Sequence, residues 1–249
     1  MNPASADQSQ DLSVTPRLRS VHTITDRFSM ANTFLIDDER LIVVDPGSEL
    51  NVHLLCNYVQ RFLHRLPTDI DLIVLTHLHP DHTAGVEALR SVCQAPVAAS
   101  LAIQHLALEE QQIGKVVPRI SHLAGQLLPG PLHHFDLFPP AYTQQIQLID
   151  LWLEDIAGLP SHPDWRVIAS PGHTPESLCL YNAFTYELLC GDTVITLSGG
   201  APLLRGGSNR HELEETLRVL RSLRVYYLYP GHGRPILGWH PLSNADVEW

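Results

Sequence analysis

Apolar residues follow two patterns along the chain, one typical of strands and one typical of helices. Short, nearly continuous apolar runs bounded by Gly, Pro or polar residues predict buried strands. Longer segments in which apolar residues recur every three or four positions predict helices. The predicted strands cover 20–25, 31–37, 41–44, 72–75, 95–100, 146–153, 165–170, 177–181, 187–191 and 225–229. The predicted helices cover 51–66, 84–92, 101–112, 116–128 and 209–223, the last capped by Asn209.

The order of these elements predicts one layered α/β domain. Strands that alternate with helices favour right-handed crossovers, with helices packed on sheets. We assign residues 18–249 to this domain and the polar residues 1–17 to a flexible N-terminal tail. Residues 101–145 differ, because helical patterns alternate there with Pro-Gly-Pro and Pro-Pro breaks. We interpret them as a helical insertion, either a cover over a site or a subdomain with its own small core.

Charge and composition narrow the choice of partners. The formal net charge is −11, and the 16 Lys and Arg among 249 residues form no basic cluster suited to phosphates. We therefore expect no nucleic-acid partner and no membrane binding. The N-terminus lacks the features of a signal peptide, and no apolar run is long enough to span a bilayer. Four cysteines without C-x-x-C spacing predict reduced thiols in a cytoplasmic protein.

A cluster of potential metal ligands follows the apolar run at 72–75. His77, His79, Asp81 and His82 lie close together in sequence, and a proline stiffens the turn between them. Because side chains at positions i and i+2 of an extended backbone point the same way, His77 and His79 can hold one ion together. Asp81 and His82 point elsewhere and are free to serve a second ion. This stretch predicts a metal site.

Three further potential ligands follow apolar strands beside Gly or Pro. They are His173 in Pro-Gly-His-Thr-Pro, Asp192 in Gly-Asp-Thr and His232 in Pro-Gly-His-Gly. Strand ends are rigid, which suits ligands that must hold their position. Asp45, in Asp-Pro-Gly, admits two interpretations, as a cap of its turn or as an acceptor for a ligand imidazole.

The ligand set of five histidines and two aspartates predicts the kind of metal. These residues would satisfy two divalent metal ions, with one bridging carboxylate and positions left for water. Nitrogen and oxygen ligands without thiolate suit Zn2+ first, with iron or manganese as alternatives.

The motifs that carry these ligands resemble those of the metallo-β-lactamase superfamily. They are Asp-Pro-Gly at 45–47, Thr-His-Leu-His-Pro-Asp-His at 76–82, Ser-Pro-Gly-His-Thr-Pro at 170–175, Cys-Gly-Asp-Thr at 190–193 and Tyr-Pro-Gly-His-Gly at 229–233. The resemblance implies a four-layer αβ/βα sandwich, with two sheets between helices and the site at one sheet edge. It also implies a specific division of the ligands: His77, His79 and His173 for the first metal, Asp81, His82 and His232 for the second, and Asp192 as the bridge.

The resemblance implies a hydrolase in which water activated by the metals attacks an ester, thioester or lactone carbonyl. Asp81 would orient the nucleophile and carry a proton to the leaving group. The pair Asp81 and His82, together with Asp192, resembles glyoxalase-II-like thioesterases and lactonases more than true β-lactamases. Three departures leave the substrate unassigned: a long gap between His82 and His173, no tyrosine just after Asp192, and Glu176 where glycine is usual.

Two alternative functions stay open on the sequence. One is a mononuclear iron oxygenase resembling the persulfide dioxygenases of the same superfamily, since two His and one Asp can form a facial triad. The other is a metal-binding protein without catalysis. As partner we expect a small-molecule substrate with an apolar acyl part, selected by the insertion at 101–145. The sequence leaves room for a homodimer.

Overall fold

The computed structural model of the chain describes residues 20–25, 31–114, 142–196, 200–205, 207 and 209–248. The predicted tail at 1–17 lies outside these residues. The predicted helix at 116–128 and most of the predicted insertion at 101–145 also lie outside them. The domain boundaries and the role of the insertion therefore stay predictions.

The first half of the chain forms a six-stranded sheet. Its strands are β1 (Val21–Thr25), β2 (Asn32–Asp37), β3 (Leu41–Val44), β4 (Ile70–Val74), β5 (Val97–Ser100) and β6 (Leu151–Leu153). They lie side by side in sequence order. The pairs β1–β2 and β2–β3 are antiparallel, whereas β3 to β6 are parallel. The carboxyl ends of the parallel strands therefore share one edge of the sheet.

The second half forms another six-stranded sheet and a small three-stranded one. The strands are β7 (Gly158–Leu159), β8 (His162–Ala169), β9 (Leu178–Asn182), β10 (Glu187–Gly191), β11 (Ile195–Thr196), β12 (Pro202–Arg205), β13 (Tyr227–Pro230), β14 (Ile236–Leu237) and β15 (Asp246–Glu248). The larger sheet has the order β14-β13-β10-β9-β8-β7, and the smaller has the order β11-β12-β15. In the larger sheet β10 and β13 are parallel, so their carboxyl ends meet.

Helices cover the outer faces of the two large sheets. They are α1 (Glu49–Arg61), α2 (Pro80–Thr83), α3 (Val86–Cys93), α4 (Ala102–Gly114), α5 (Tyr142–Gln145) and α6 (Arg210–Ser222). The predicted cap of α6 is confirmed, because the Asn209 side chain accepts hydrogen bonds from the N–H groups of His211 and Glu212. Within the described residues, none of the helices has the length and apolar character needed to cross a bilayer.

Three apolar cores separate four layers of structure. Successive residues of a strand buried on both faces point into different cores. Leu35 accordingly packs towards α1, α3 and α4, whereas its neighbour Phe34 packs between the two sheets. The third core lies between the second sheet and α6, where Leu188 packs with Leu217. This helix–sheet–sheet–helix order confirms the predicted αβ/βα sandwich.

Several predicted boundaries are wrong. The helix predicted at 51–66 ends at Arg61, because His64 adopts a left-handed conformation (φ 53°) and Pro67 follows. Its last apolar residues, Phe62 and Leu66, are consequently exposed. The strand predicted at 146–153 is confined to β6, because Ile146–Leu148 forms a 3-10 turn instead. Strands β7, β11, β12, β14 and β15 were not predicted from the sequence.

The cysteines fit the prediction of reduced thiols. Cys179 and Cys190 are buried, Cys56 and Cys93 are half-buried, and none of these four described residues forms a disulfide.

The packing between the sheets generates a stability prediction. Phe34 is fully buried between the sheets. Its ring packs edge-on against the ring of Tyr229, and the two ring centroids are 5.8 Å apart. We expect Phe34→Ala to lower the free energy of unfolding by about 3–5 kcal/mol, since it leaves a cavity that the sheets cannot close. Phe184→Ala is the matched control, because that side chain is 60% exposed. Urea denaturation followed by circular dichroism measures both, and equal losses would contradict this description of the core.

Candidate metal centre

The predicted ligands lie on loops that follow strands of both sheets. β4 leads directly to His77 and His79, and Pro80 starts the short helix α2 that carries Asp81 and His82. The other three ligands come from the second sheet. His173 follows β8, Asp192 follows β10 and His232 follows β13. The carboxyl ends of these strands meet at one edge of the sandwich.

Two glycines allow the loops to approach each other. Gly191 has a positive φ of 48°, and a Cβ at this position would contact the Thr76 side chain. A Cβ on Gly231 would contact the Asp192 side chain and lie 2.6 Å from the carbonyl carbon of Gly191. The Gly231 N–H also donates to the Gly191 carbonyl at 2.7 Å. A larger side chain at either position would push the loops of Asp192 and His232 away from the other ligands.

The structure brings all seven predicted ligands together in two groups. The first contains His77, His79, His173 and Asp192, and the second contains Asp81, His82 and His232. In the first group, His79 Nδ1 lies 3.1 Å from both His77 Nε2 and His173 Nε2. In the second, Asp81 Oδ2 lies 3.1 Å from His232 Nε2 and 3.6 Å from His82 Nε2. The division of these ligands between two ions stays a prediction.

Asp192 lies between the two groups. Its Oδ2 is 3.6 Å from His173 Nε2 and 3.3 Å from His232 Nε2. Its Oδ1 is 3.2 Å from His82 Nε2. One carboxylate therefore faces ring nitrogens of both groups.

The separations between these atoms fit a metal ion. Zinc binds imidazole nitrogen at about 2.0–2.1 Å in tetrahedral geometry, which places neighbouring ligand atoms about 3.3 Å apart. Asp81 Oδ1 is buried and, within the described part of the chain, has no hydrogen-bond partner, whereas Asp81 Oδ2, His82 Nε2 and Asp192 Oδ1 face only other predicted ligands of the cluster. Buried polar atoms of native proteins rarely stay unsatisfied. The donor set and the unsatisfied atoms thus fit divalent metal ions.

The electrostatics of the metal-free cluster differ between the two groups. Burial lowers the pKa of His77 well below its usual value, and it lowers the pKa of His79 to about 4. These imidazoles are neutral, as metal ligands must be. Burial also lowers the pKa of His232, but the Asp192 carboxylate outweighs it and raises the pKa to about 9. His232 is thus protonated in the metal-free chain and partly neutralises the carboxylates that a cation would otherwise balance.

Asp45 is an acceptor for a ligand imidazole, the second of the two interpretations that the sequence left open. Its Oδ2 lies 3.0 Å from His82 Nδ1 and accepts a hydrogen bond from the Thr76 hydroxyl at 2.7 Å. The same hydroxyl lies 3.0 Å from His77 Nδ1. In this network both Nδ1 atoms donate a proton, so Nε2 of His77 and of His82 is the ring nitrogen that faces the cluster and that would bind an ion in the neutral ring. Thr76 and Asp45 therefore orient one imidazole of each group.

Two polar residues near the cluster had no role assigned from the sequence. Thr76 precedes His77, and its hydroxyl links the orienting network of both groups. Glu176 is 1% exposed and accepts a hydrogen bond from the Leu78 N–H. The only signal for Glu176 was its departure from the usual glycine. A carboxylate in an otherwise apolar environment needs partners, but the sequence does not identify them.

The chain belongs to the metallo-beta-lactamase superfamily, whose family model matches residues 26–232. A similar protein is the probable metallo-hydrolase MJ0888 of Methanocaldococcus jannaschii, which is 26% identical over 82% of this chain and 87% of its own. A hydroxyacylglutathione hydrolase of Idiomarina loihiensis is 26% identical over 86% of this chain and 61% of its own length. Among solved structures, the BLEG-1 B3 metallo-beta-lactamase has a TM-score of 0.61 at 19% identity, covering 87% of this chain and 93% of its own.

These comparisons support the fold and a metallo-hydrolase class. At 19% identity, the likeness to the solved structure concerns the fold alone. The chain matches 61% of the length of the Idiomarina hydroxyacylglutathione hydrolase, so the similarity does not establish the same activity for this chain.

The orienting network generates a second prediction. Thr76→Val keeps the shape of the side chain but removes the hydroxyl that donates to Asp45 Oδ2. We expect the metal-free protein to lose about 1–3 kcal/mol of its free energy of unfolding, because a buried acceptor loses a donor. Thr76→Ser keeps the hydroxyl and is the matched control. Urea denaturation distinguishes the two, and a loss in Thr76→Ser as large as the loss in Thr76→Val would contradict a leading role for the hydrogen bond.

Proposed function

We propose that this chain is a metal-dependent hydrolase with a dinuclear site, acting on an ester, thioester or lactone carbonyl. The observation that carries the proposal is the position of Asp192 between the two ligand groups. Its Oδ2 lies within 3.6 Å of ring nitrogens of His173 and His232, one from each group. A carboxylate in this position is suited to bridge two cations.

The proposed division of the ligands follows the two groups. His77, His79 and His173 would hold one ion, Asp81, His82 and His232 would hold the other, and Asp192 would contact both. Zinc is the proposed metal, because all seven ligands offer nitrogen or oxygen and none offers thiolate. Divalent cations bound at such a site lower the pKa of water and polarise a carbonyl oxygen.

Asp81 is the proposed proton carrier. Its side chain is 5% exposed, and Oδ2 lies 3.1 Å from His232 Nε2. Oδ1, the other oxygen, is buried without a hydrogen bond in the described part of the chain. Oδ1 is therefore available to accept a proton from the attacking water and to pass it to the leaving group.

The proposed class of acyl substrates is supported by the name of one similar protein. The hydroxyacylglutathione hydrolase among them favours acyl substrates for this chain. Selection of an apolar acyl part remains a proposal, because it depends on the insertion at 101–145, and residues 115–141 lie outside the described residues. A homodimer and a cytoplasmic location likewise stay predictions.

Metal removal tests the proposal directly. We expect elemental analysis to find about two divalent ions per chain, since two ligand groups are present. Hydrolysis of a panel of thioesters, lactones and esters, with β-lactams for comparison, should disappear after chelation and return when Zn2+ is added. Full turnover without metal would contradict the proposal. A single iron with oxygen consumption on a persulfide substrate would favour the oxygenase alternative.

Removal of one ligand should abolish turnover without unfolding the chain. His77 is 1% exposed within the first group, and we expect His77→Ala to lower kcat/KM by more than about 100-fold. His105→Ala is the matched control, because His105 is exposed on α4, and it should retain activity close to wild type. Steady-state kinetics with metal content measured on the same samples provides the test. Equal activity in both variants would exclude His77 from the site.

A further inference from the structure

Glu176 is a buried carboxylate that joins two parts of the structure beside the metal cluster. It lies on the loop that carries His173, three residues after it, and only 1% of it is exposed. Oε1 accepts a hydrogen bond from the Leu78 N–H at 3.3 Å. Oε2 accepts a hydrogen bond from the Tyr142 hydroxyl at 2.7 Å. Both oxygens of this carboxylate are therefore used by groups distant in sequence.

Leu78 lies between two predicted ligands of the first group. Its peptide N–H belongs to the backbone segment that carries His77 and His79. Its side chain is fully buried in the core between the first sheet and the helices α1, α3 and α4. Among the described residues, the Leu78 N–H forms one hydrogen bond to the loop of His173, and its acceptor is Glu176. Together with the hydrogen bond from the Leu178 N–H to the Thr76 carbonyl at 2.9 Å, it joins the His77–His79 segment to the loop of His173 and the start of β9.

Tyr142 holds the other oxygen of Glu176. It begins α5, is 8% exposed and belongs to the same apolar core as Leu78. The next residue, Thr143, donates its N–H to Glu110 Oε2 of α4 at 2.8 Å. The position of Glu176 therefore depends on the helices α4 and α5, which flank the predicted insertion.

We propose that Glu176 is a positioning residue for the first ligand group, and that Tyr142 fixes its side chain from α5. Glu176 contacts none of the seven ligand side chains through these two hydrogen bonds; it acts through the Leu78 peptide. The inference rests on the metal-binding part of the proposed function and extends it to a residue at which this chain departs from the usual glycine. Its measurable consequence is the affinity of the first group for a divalent cation.

Tyr142→Phe is the primary test, because it keeps the ring in the core and removes only the hydroxyl. We expect Tyr142→Phe to weaken Zn2+ affinity at one of the two sites by about 10-fold, the lower end of the range for groups that hydrogen-bond to metal ligands, because Tyr142 acts through Glu176 and the Leu78 peptide. Titration of the metal-free full-length chain with Zn2+ against a chromophoric chelator measures the affinity. Substitution with Co2+ gives a second readout, since the absorption of the ion at the affected site should change.

Glu176 substitutions separate position from charge. Glu176→Gln keeps an oxygen for the Leu78 N–H, and its amide can donate to the Tyr142 hydroxyl oxygen. We therefore expect Glu176→Gln to bind Zn2+ nearly as tightly as wild type, and Glu176→Ala to be weakened as strongly as Tyr142→Phe. Combining Glu176→Gln with Tyr142→Phe should remove the rescue. A Glu176→Gln variant as weak as Glu176→Ala would overturn the positioning role, because charge alone would explain the loss.

The chain offers a matched control in the third core, Tyr181 on β9. Like Tyr142 it is 8% exposed, and its hydroxyl donates to the Arg224 carbonyl at 3.0 Å. Tyr181→Phe removes the same kind of hydrogen bond, but neither Tyr181 nor Arg224 belongs to a motif that carries a predicted ligand. We expect Tyr181→Phe to leave Zn2+ affinity unchanged even where it lowers the melting temperature.

Failure of this inference and failure of the proposed function give different results. If the wild-type chain binds no divalent ion, the metal site itself is wrong and the positioning role falls with it. If wild type binds two ions but Tyr142→Phe matches the Tyr181→Phe control, only the positioning role is overturned. A selective loss at one site in Tyr142→Phe, with rescue in Glu176→Gln, supports it.

Discussion

The gathering of five imidazoles and two carboxylates in one cluster, with all but His232 buried, is the constraint on which the rest of this structure depends. Burying a charged group costs free energy unless an opposite charge or hydrogen bonds compensate. When no cation is bound, protons on His82 and His232 supply part of that compensation, because the carboxylates raise the pKa of both imidazoles. Divalent cations would supply this compensation more fully.

A cluster of this kind needs rigid support from both halves of the chain. Backbone hydrogen bonds join the two sheets beside the ligands, from the Leu178 N–H to the Thr76 carbonyl at 2.9 Å and from the Asn32 N–H to the Gly231 carbonyl at 2.8 Å. Neither half holds a complete ligand group, since His173 completes the first and His232 the second. Packing of the sheets and formation of the site are therefore the same event, and loss of the core between the sheets would also separate the ligands.

The sequence predicted the features that depend on local patterns and missed those that depend on distant partners. The buried strands β3 and β10 have short apolar runs that favour a strand, and the Gly or Pro residues at their ends indicate tight turns. Five short strands were missed, among them β12 and β15, whose pairing is set by contacts more than forty residues apart. Likewise, nothing in the residues around Glu176 indicates that a tyrosine 34 positions earlier donates to it. The side chains of a site can be predicted from motifs, but the groups that orient them come from tertiary packing.

This difference between ligands and their supports bears on how one family can serve several reactions. In the proposed function the seven ligands would serve any carbonyl substrate alike, so they carry little information about which substrate is used. Discrimination must come from residues that fix the ligands and line the approach to them. Asp45 and Thr76 fix one imidazole of each group from within the first sheet. Glu176 instead connects the first group to α4 and α5, the helices on either side of the predicted insertion. If Glu176 positions the first group as proposed, a change in those helices would alter that group without changing any ligand.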